Sequence, residues 1–346
     1  MFVRLAVLVL LAIALLAYFL RRANRRDDAK PERASSRIKN ERAPSFAGGY
    51  VLDLAMRCLC ASCEQEVAAT PDDQCEACGQ PYLLDGRYQL EARVGHGTNA
   101  VTYRARRIDN LALAAIKELS VRKIDSFKAL EHFEREAKVL ASLDHPGIPS
   151  YVERFTTENG RFTTFYLAEE FIAGKTLLEE MATHRHTEAQ VVEIIDEIQA
   201  ILDYLHGLVP PVIHRDIKPS NIMRRQVDGR LFLIDFGSVR ELTAGDFDAS
   251  TAASTAASTV AGTFGYMAPE QFAGMAVPAS DVYGLGATAV ALLARQDVCH
   301  LLTAQNTLDW QPHVQVSAAT QARLRTMLET DVNRRTQALA NHSTSA

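Results

Sequence analysis

The chain has 346 residues, 23% of them charged, with a formal net charge of -5 and a sequence pI near 6.1. That length supports one large or two ordinary domains with a substantial core. The near balance of charge gives no basis for a nucleic-acid partner, and none is expected.

The first segment, residues 1–20, reads "MFVRLAVLVLLAIALLAYFL" with Arg4 as its one charge. The apolar run from Leu5 to Leu20 is short for a transmembrane helix, which needs about 20 residues, and long for a signal-peptide core of roughly 7–15. Arg21, Arg22, Arg25 and Arg26 follow with no convincing small-residue cleavage site between. This favours an uncleaved membrane anchor over a cleaved signal, with the positive flank and the rest of the chain in the cytoplasm. Residues 21–49 are rich in charge, Ala, Ser and Pro, and read as a basic flexible tether whose start either lies against anionic headgroups or is merely solvated.

Residues 50–84 carry five of the six cysteines. Cys60 and Cys63 form one C-x-x-C pair and Cys75 and Cys78 a second, with Gly79 after the last. In a reducing compartment such spacing points to metal rather than disulfides, and a segment this small needs a metal to hold a fold. A structural Zn²⁺ held by these four thiolates is the preferred reading; a rubredoxin-like iron site and unligated thiols are the alternatives. Cys58 competes with Cys60 for the first knuckle. Cys299, far away, reads as a buried apolar residue.

From Asp85 to about residue 340 the pattern is one continuous domain, short β-like runs first and then helical periodicity, with a disordered tail at 341–346. In "EAQVVEIIDEIQAILDYLHGL" the residues Val191, Ile194, Ile195, Ile198, Ile201, Leu202 and Leu205 have the spacing of a buried helix face, and Pro210 and Pro211 are expected to stop it. Earlier, "RVGHGTNAVTYRARR" places Gly95 and Gly97 at a strand turn, where backbone amides can approach phosphate oxygens; Ala100 stands where a third glycine of the pattern would be. The β-type run "LAAIKEL" isolates one cation, Lys117, and the next helix offers two acids as its partner, Glu134 and Glu136, between which spacing does not choose. After the long helix comes "VIHRDIKPSNIM", crowding His214, Arg215, Asp216, Lys218 and Asn221 into one loop, and then "RLFLIDFGSVRE", an apolar strand that delivers Asp235 at its end.

Together with "GTFGYMAPEQF" and "SDVYGLGAT", these motifs resemble, in order and spacing over about 250 residues, the protein kinase superfamily, specifically bacterial Ser/Thr kinases similar to the eukaryotic ones. The resemblance implies an α+β, two-lobed fold, a small β-rich N-lobe and a larger helical C-lobe, here preceded by the anchor and the cysteine module. It implies ATP and Mg²⁺ or Mn²⁺ as cofactors and Ser/Thr side chains of proteins as substrates. Val94, Gly95, Gly97 and Val101 would cover the nucleotide, Lys117 would reach its phosphates, and Glu136 would hold Lys117. Glu170 to Ile172 would meet the adenine, with the acid Glu169 at the gatekeeper position. Asp216 would orient the substrate hydroxyl and accept its proton, Lys218 would offset phosphoryl charge, and Asn221 and Asp235 would ligate the metal. Glu270 is expected to pair with Arg335, and Asp281 to brace the catalytic loop.

Lys218 two residues after Asp216, and the pair Gly262–Thr263, resemble Ser/Thr rather than tyrosine kinases. The segment "LTAGDFDASTAASTAASTV" is either low-complexity or regulatory; in the second case Thr255, Ser258 or Thr259 takes a phosphate that docks on Arg215. The expected location is the bacterial inner membrane, where clustering would allow trans-autophosphorylation. A pseudokinase that senses nucleotide is the alternative, against which stands the presence of every transfer residue. A nucleic-acid-binding ribbon is disfavoured, because "EQEVAATPDDQ" between the knuckles has acids and no Lys or Arg.

Overall fold

A computed structural model describes residues 57–68, 74–96, 100–120, 127–159, 162–241, 265–304 and 307–343. The expected anchor and tether lie outside the described residues. Among the described residues no helix is long and apolar enough to cross a membrane.

One antiparallel sheet of seven strands forms the first layer. Its strands are β1 (Arg57–Leu59), β2 (Glu66–Ala68), β3 (Tyr88–His96), β4 (Ala100–Arg107), β5 (Leu113–Ser120), β6 (Tyr151–Asn159) and β7 (Phe162–Glu170), in the spatial order β2-β1-β3-β4-β5-β7-β6. Period-2 patterning explains the inward face. In β4 the residues Val101, Tyr103 and Ala105 are buried and their neighbours only half so, and they pack with Tyr88, Leu90, Ile116, Tyr166 and Ala168. The cysteine segment belongs to this sheet. Leu59 of β1 pairs with Leu90 of β3, and Leu59 and Ala61 pack against the same core. Helix α1 (Phe127–Leu140) follows β5.

The helical layer begins after β8 (Gly174–Thr176) with α2 (Leu177–Thr183) and α3 (Glu188–His206). Thr176 and Thr187 cap these two helices through reciprocal capping boxes, each satisfying orphan amides of the first turn. All seven residues of the expected α3 face are buried. The helix ends at His206 with Gly207 as its cap, so Pro210 and Pro211 follow the stop instead of causing it. Strands β9 (Val212–Ile213), β10 (Ile222–Arg225), β11 (Leu231–Leu233) and β12 (Arg240–Glu241) frame the polar loop. Helices α4 (Pro269–Phe272), α5 (Pro278–Ala294), α6 (Ala318–Met327) and α7 (Val332–Ser343) complete this layer, the last running three residues past the expected domain end at 340. Helix α5 is buried almost all round, as its "VYGLGATAVALL" requires.

Glu270 of α4 accepts from the guanidinium of Arg335, a side chain with no solvent exposure, and from Ser280 Oγ at 2.5 Å. The expected pair therefore ties α4 to α7. Cys299 corrects the sequence reading: it is exposed, because the short turn Val298–Leu301 turns Val298 and Leu301 into the core instead.

Candidate active site

Lys117 lies mid-sheet on β5, paired with Thr102 of β4 on one side and Leu167 of β7 on the other. Its Nζ donates to both carboxylate oxygens of Glu136, at 2.7 and 2.9 Å, and to Oδ1 of Asp235 at 2.9 Å. Helix α1 delivers Glu136 on its buried face, beside Val139 and Leu140, while Glu134 turns outward to Arg154. The ambiguity left by spacing is thus resolved in the fold by the direction in which α1 packs. Burial works against the charge on Lys117, but Asp235 and Glu136 outweigh it and raise its pKa. The same cation holds the Asp235 carboxyl well below the usual carboxylate range.

Asp235 sits in a left-handed conformation (φ 64°) immediately after β11 and the residue Ile234, and its carboxylate accepts from the Gly237 amide at 3.3 Å. A Cβ at Gly237 would come within 3.1 Å of Asp235 Oδ1 and 3.3 Å of both Glu136 Oε2 and Lys117 Nζ, so any larger residue there would press on this triad. Between Asp235 and Gly237, Phe236 is buried and meets the His214 ring edge-on at 5.0 Å.

The polar loop is bound from below. Asp281 of α5 accepts from the amides of His214 at 2.9 Å and Arg215 at 2.7 Å, and meets His206 Nε2 at 2.9 Å. Gln271 donates to the Arg215 carbonyl at 3.0 Å. His214 Nε2 lies 3.2 Å from the Ile234 carbonyl and its Nδ1 accepts from the Asp216 amide, a pattern one neutral tautomer satisfies; burial lowers its pKa to match. The contributions of His214 and Gln271 escaped sequence reasoning. His214 stands in the crowded loop without an assigned role and Gln271 in no such pattern, and only their contacts show what they do.

Asp216, so fixed, accepts from Asn221 Nδ2 at 2.9 Å and from Lys218 Nζ at 2.8 Å. The Asn221 carbonyl takes the Ile234 amide at 2.9 Å, which places Asn221 beside the strand end that presents Asp235. An amide oxygen and a carboxylate at neighbouring strand ends are the hard donors that suit Mg²⁺ or Mn²⁺. Acid, cation and metal-ligand types separated widely in sequence are therefore brought to one cleft.

Around the nucleotide side, Val94 is half exposed. Val101 corrects the sequence reading: it is buried with Tyr103 and Ala105 on the core face of β4, whereas Thr102, paired with Lys117, shares the face of that lysine. Gly95 follows a bulge, since the pairing steps from Arg93–Tyr103 to Gly95–Thr102. Gly97 lies outside the described residues, as do Gly262, Thr263, Thr255, Ser258 and Thr259. At the expected hinge the Glu170 amide already donates to the Ser150 carbonyl at 2.8 Å, which removes it as a donor to an adenine ring; Ile172 is buried. Burial pushes the Glu169 carboxyl up to about 8, with help from Glu136.

The second candidate centre is the cysteine cluster. The four sulfurs of Cys60, Cys63, Cys75 and Cys78 all lie within 4.8 Å of one another, with Cys60–Cys78 and Cys63–Cys75 separations of 3.7 Å. Zinc–thiolate bonds of about 2.3 Å give a tetrahedron with edges of about 3.8 Å. Cys58 stands aside, buried, with its thiol directed at the Val67 carbonyl. Among the described residues Glu180, His184 and His186 are also close together, but Glu180 is engaged by Arg224 at 3.0 Å and His186 at 3.2 Å.

A sheet-borne Lys–Glu pair facing a loop of acid, cation and amide is the arrangement of the protein kinase fold. The chain belongs to the protein kinase family: the model of the protein kinase domain matches residues 88–343. Among curated relatives it is similar to serine/threonine-protein kinase B of Synechocystis sp., 36% identical over 273 residues that make up 75% of this chain and 46% of the relative. Serine/threonine-protein kinase F of the same organism is 36% identical over 265 residues, 70% of this chain and 51% of the relative. Serine/threonine-protein kinase PknA of Nostoc sp. is 35% identical over 221 residues, 61% and 37% of the two chains. The chain spans about half or less of the length of these relatives.

Proposed function

We propose that this protein transfers the γ-phosphoryl group of ATP to serine or threonine hydroxyls of protein substrates. The observation that carries this is the junction of two groups of residues: Lys117 bonded to both Glu136 and Asp235, and Asp216 bonded to both Asn221 and Lys218. Lys117 positions the α and β phosphates, and Glu136 holds its ammonium in place. Asp216 orients the acceptor hydroxyl and takes its proton, while Lys218 offsets charge on the transferred group. Asn221 and Asp235 would hold Mg²⁺ or Mn²⁺, which supplies charge neutralisation at the phosphates. The names of the similar kinases and the Lys218 position support the Ser/Thr preference.

The cysteine cluster supports a structural Zn²⁺ on Cys60, Cys63, Cys75 and Cys78, since the observed sulfur spacing suits that ion. Attachment to the inner membrane through residues 1–20, with the catalytic domain in the cytoplasm, rests on the apolar run and its arginine flank. Self-association in the bilayer and autophosphorylation within 242–260 are consistent with that attachment. Radiolabelled ATP with Mg²⁺ and casein tests the central reading: phosphate should enter Ser and Thr with the unaltered chain and fall to background with Asp216→Ala. Equal incorporation by both, or none by either, would overturn it.

A further inference from the structure

The two cysteine knuckles share one backbone pattern. In the first, the Glu64 amide donates to the Cys60 carbonyl and the Cys60 amide to the Gln65 carbonyl; in the second, Gly79 and Cys75 make the same bonds with Cys75 and Gln80. Each pattern needs a left-handed residue after its last cysteine. The second knuckle uses Gly79 at φ 69°, whereas the first places Glu64 there at φ 61°. A side chain with a Cβ is strained in that region, so an acid in the glycine position calls for a reason outside the knuckle.

Its contacts supply one. The Glu64 carboxylate forms an ion pair with Arg93 of β3 and accepts from the hydroxyl of Tyr103 of β4 at 3.1 Å. Arg93 and Tyr103 face each other across the β3–β4 ladder, and the Arg93 guanidinium lies 6.0 Å over the Tyr103 ring. The bulge that re-aims Gly95 begins at this pair. Tyr103 is 1% exposed, so its hydroxyl needs a partner. An exposed ion pair alone would contribute little. Here one carboxylate instead joins both strands of the nucleotide-covering hairpin two ladder pairs short of its turn end, from a knuckle fixed in the same sheet through β1.

We propose that Glu64 is a positioning residue for ATP: it holds the β3–β4 hairpin at the bulge and so makes the cysteine module a working part of the nucleotide site. This rests on the kinase reading above. Glu64→Gly in the full chain removes the carboxylate and relieves the left-handed strain, so the knuckle and its metal should survive. The KM for ATP, with casein as acceptor, should rise about fivefold, with kcat changed by less than about twofold. Zinc content by elemental analysis and the thermal midpoint should hold or improve. Tyr103→Phe should raise the KM by a smaller factor, and the double variant should resemble Glu64→Gly alone instead of multiplying the two effects.

An unchanged KM in an active Glu64→Gly protein would overturn the proposal, as would a KM rise accompanied by loss of zinc or a lower thermal midpoint. Failure of the kinase reading itself would show separately, as no Mg²⁺-dependent binding of a fluorescent ATP derivative by the unaltered chain.

Discussion

Cys60 and Cys78 meet at 3.7 Å across 18 positions of sequence, whereas Lys117 and Asp235 meet at 2.9 Å across 118. Two tight turns assemble the sulfur cluster, and each turn is complete within six residues. The cleft has no such local builder. Its members come from β5, α1, a loop after β9 and the end of β11, and they converge only because a sheet and a helical layer pack in one way. A locally built centre leans on whatever its cysteines hold, beyond the small core of Val67, Tyr82 and Leu83 and the pairing of β1 with β3. A centre built from distant parts depends on the scaffold, and a half-buried member such as Asp216 can be removed with the fold intact.

The sharpest test of that contrast is the paired change Cys63→Ser and Cys78→Ser. Structural zinc contributes roughly 10–16 kcal/mol of apparent folding free energy in small modules. The expected outcome is metal loss in elemental analysis and rapid proteolysis confined to residues 57–84; full zinc content in this variant would break the comparison. In the cleft, Asp216→Ala should lower the rate of transfer by about 10²–10⁴-fold, yet leave the thermal midpoint close to that of the unaltered protein. A large loss of stability there would show that Asp216 is structural.

Between these extremes, Glu270→Ala would leave the Arg335 cation buried without its partner, at a cost of about 3–5 kcal/mol, read as a lower midpoint in denaturant. The smallest effect concerns Glu169. Its carboxyl titrates near 8 in the fold against 4.5 as its ordinary value, so the folded chain binds the extra proton in that interval. Its contribution is fully present below about pH 4.5 and is lost as pH rises through about 8. Glu169→Gln should therefore match the unaltered protein in thermal midpoint near pH 4.5 and exceed it by several degrees near pH 9. A constant difference across that range would reject the assignment.

The sequence made the local features legible and left the junctions hidden. The apolar spacing of α3 marked its seven buried residues, because a helix face is a periodic property of one segment. C-x-x-C spacing marked four sulfurs and left Cys58 ambiguous, since only packing against Val67 shows that it turns away. Lys117 was conspicuous as one cation in an apolar strand, but its choice of Glu136 over Glu134 is set by how α1 lies on the sheet. The committed Glu170 amide, the exposed Cys299 and the pairing of β1 with β3 left no trace in residue order. Each depends on what another segment does, and a single chain read in order does not state that.

The pairing of Leu59 with Leu90 covers part of the outer border of the sheet. A bare strand border offers unsatisfied amides and carbonyls to any passing extended chain, and it recruits identical copies first. A shortened protein that starts at Asp85 would uncover that row on β3 and expose the apolar surface against which Leu59 and Ala61 pack. The cysteine segment therefore also guards solubility, and such a fragment should accumulate as oligomers even where its catalytic residues are all present.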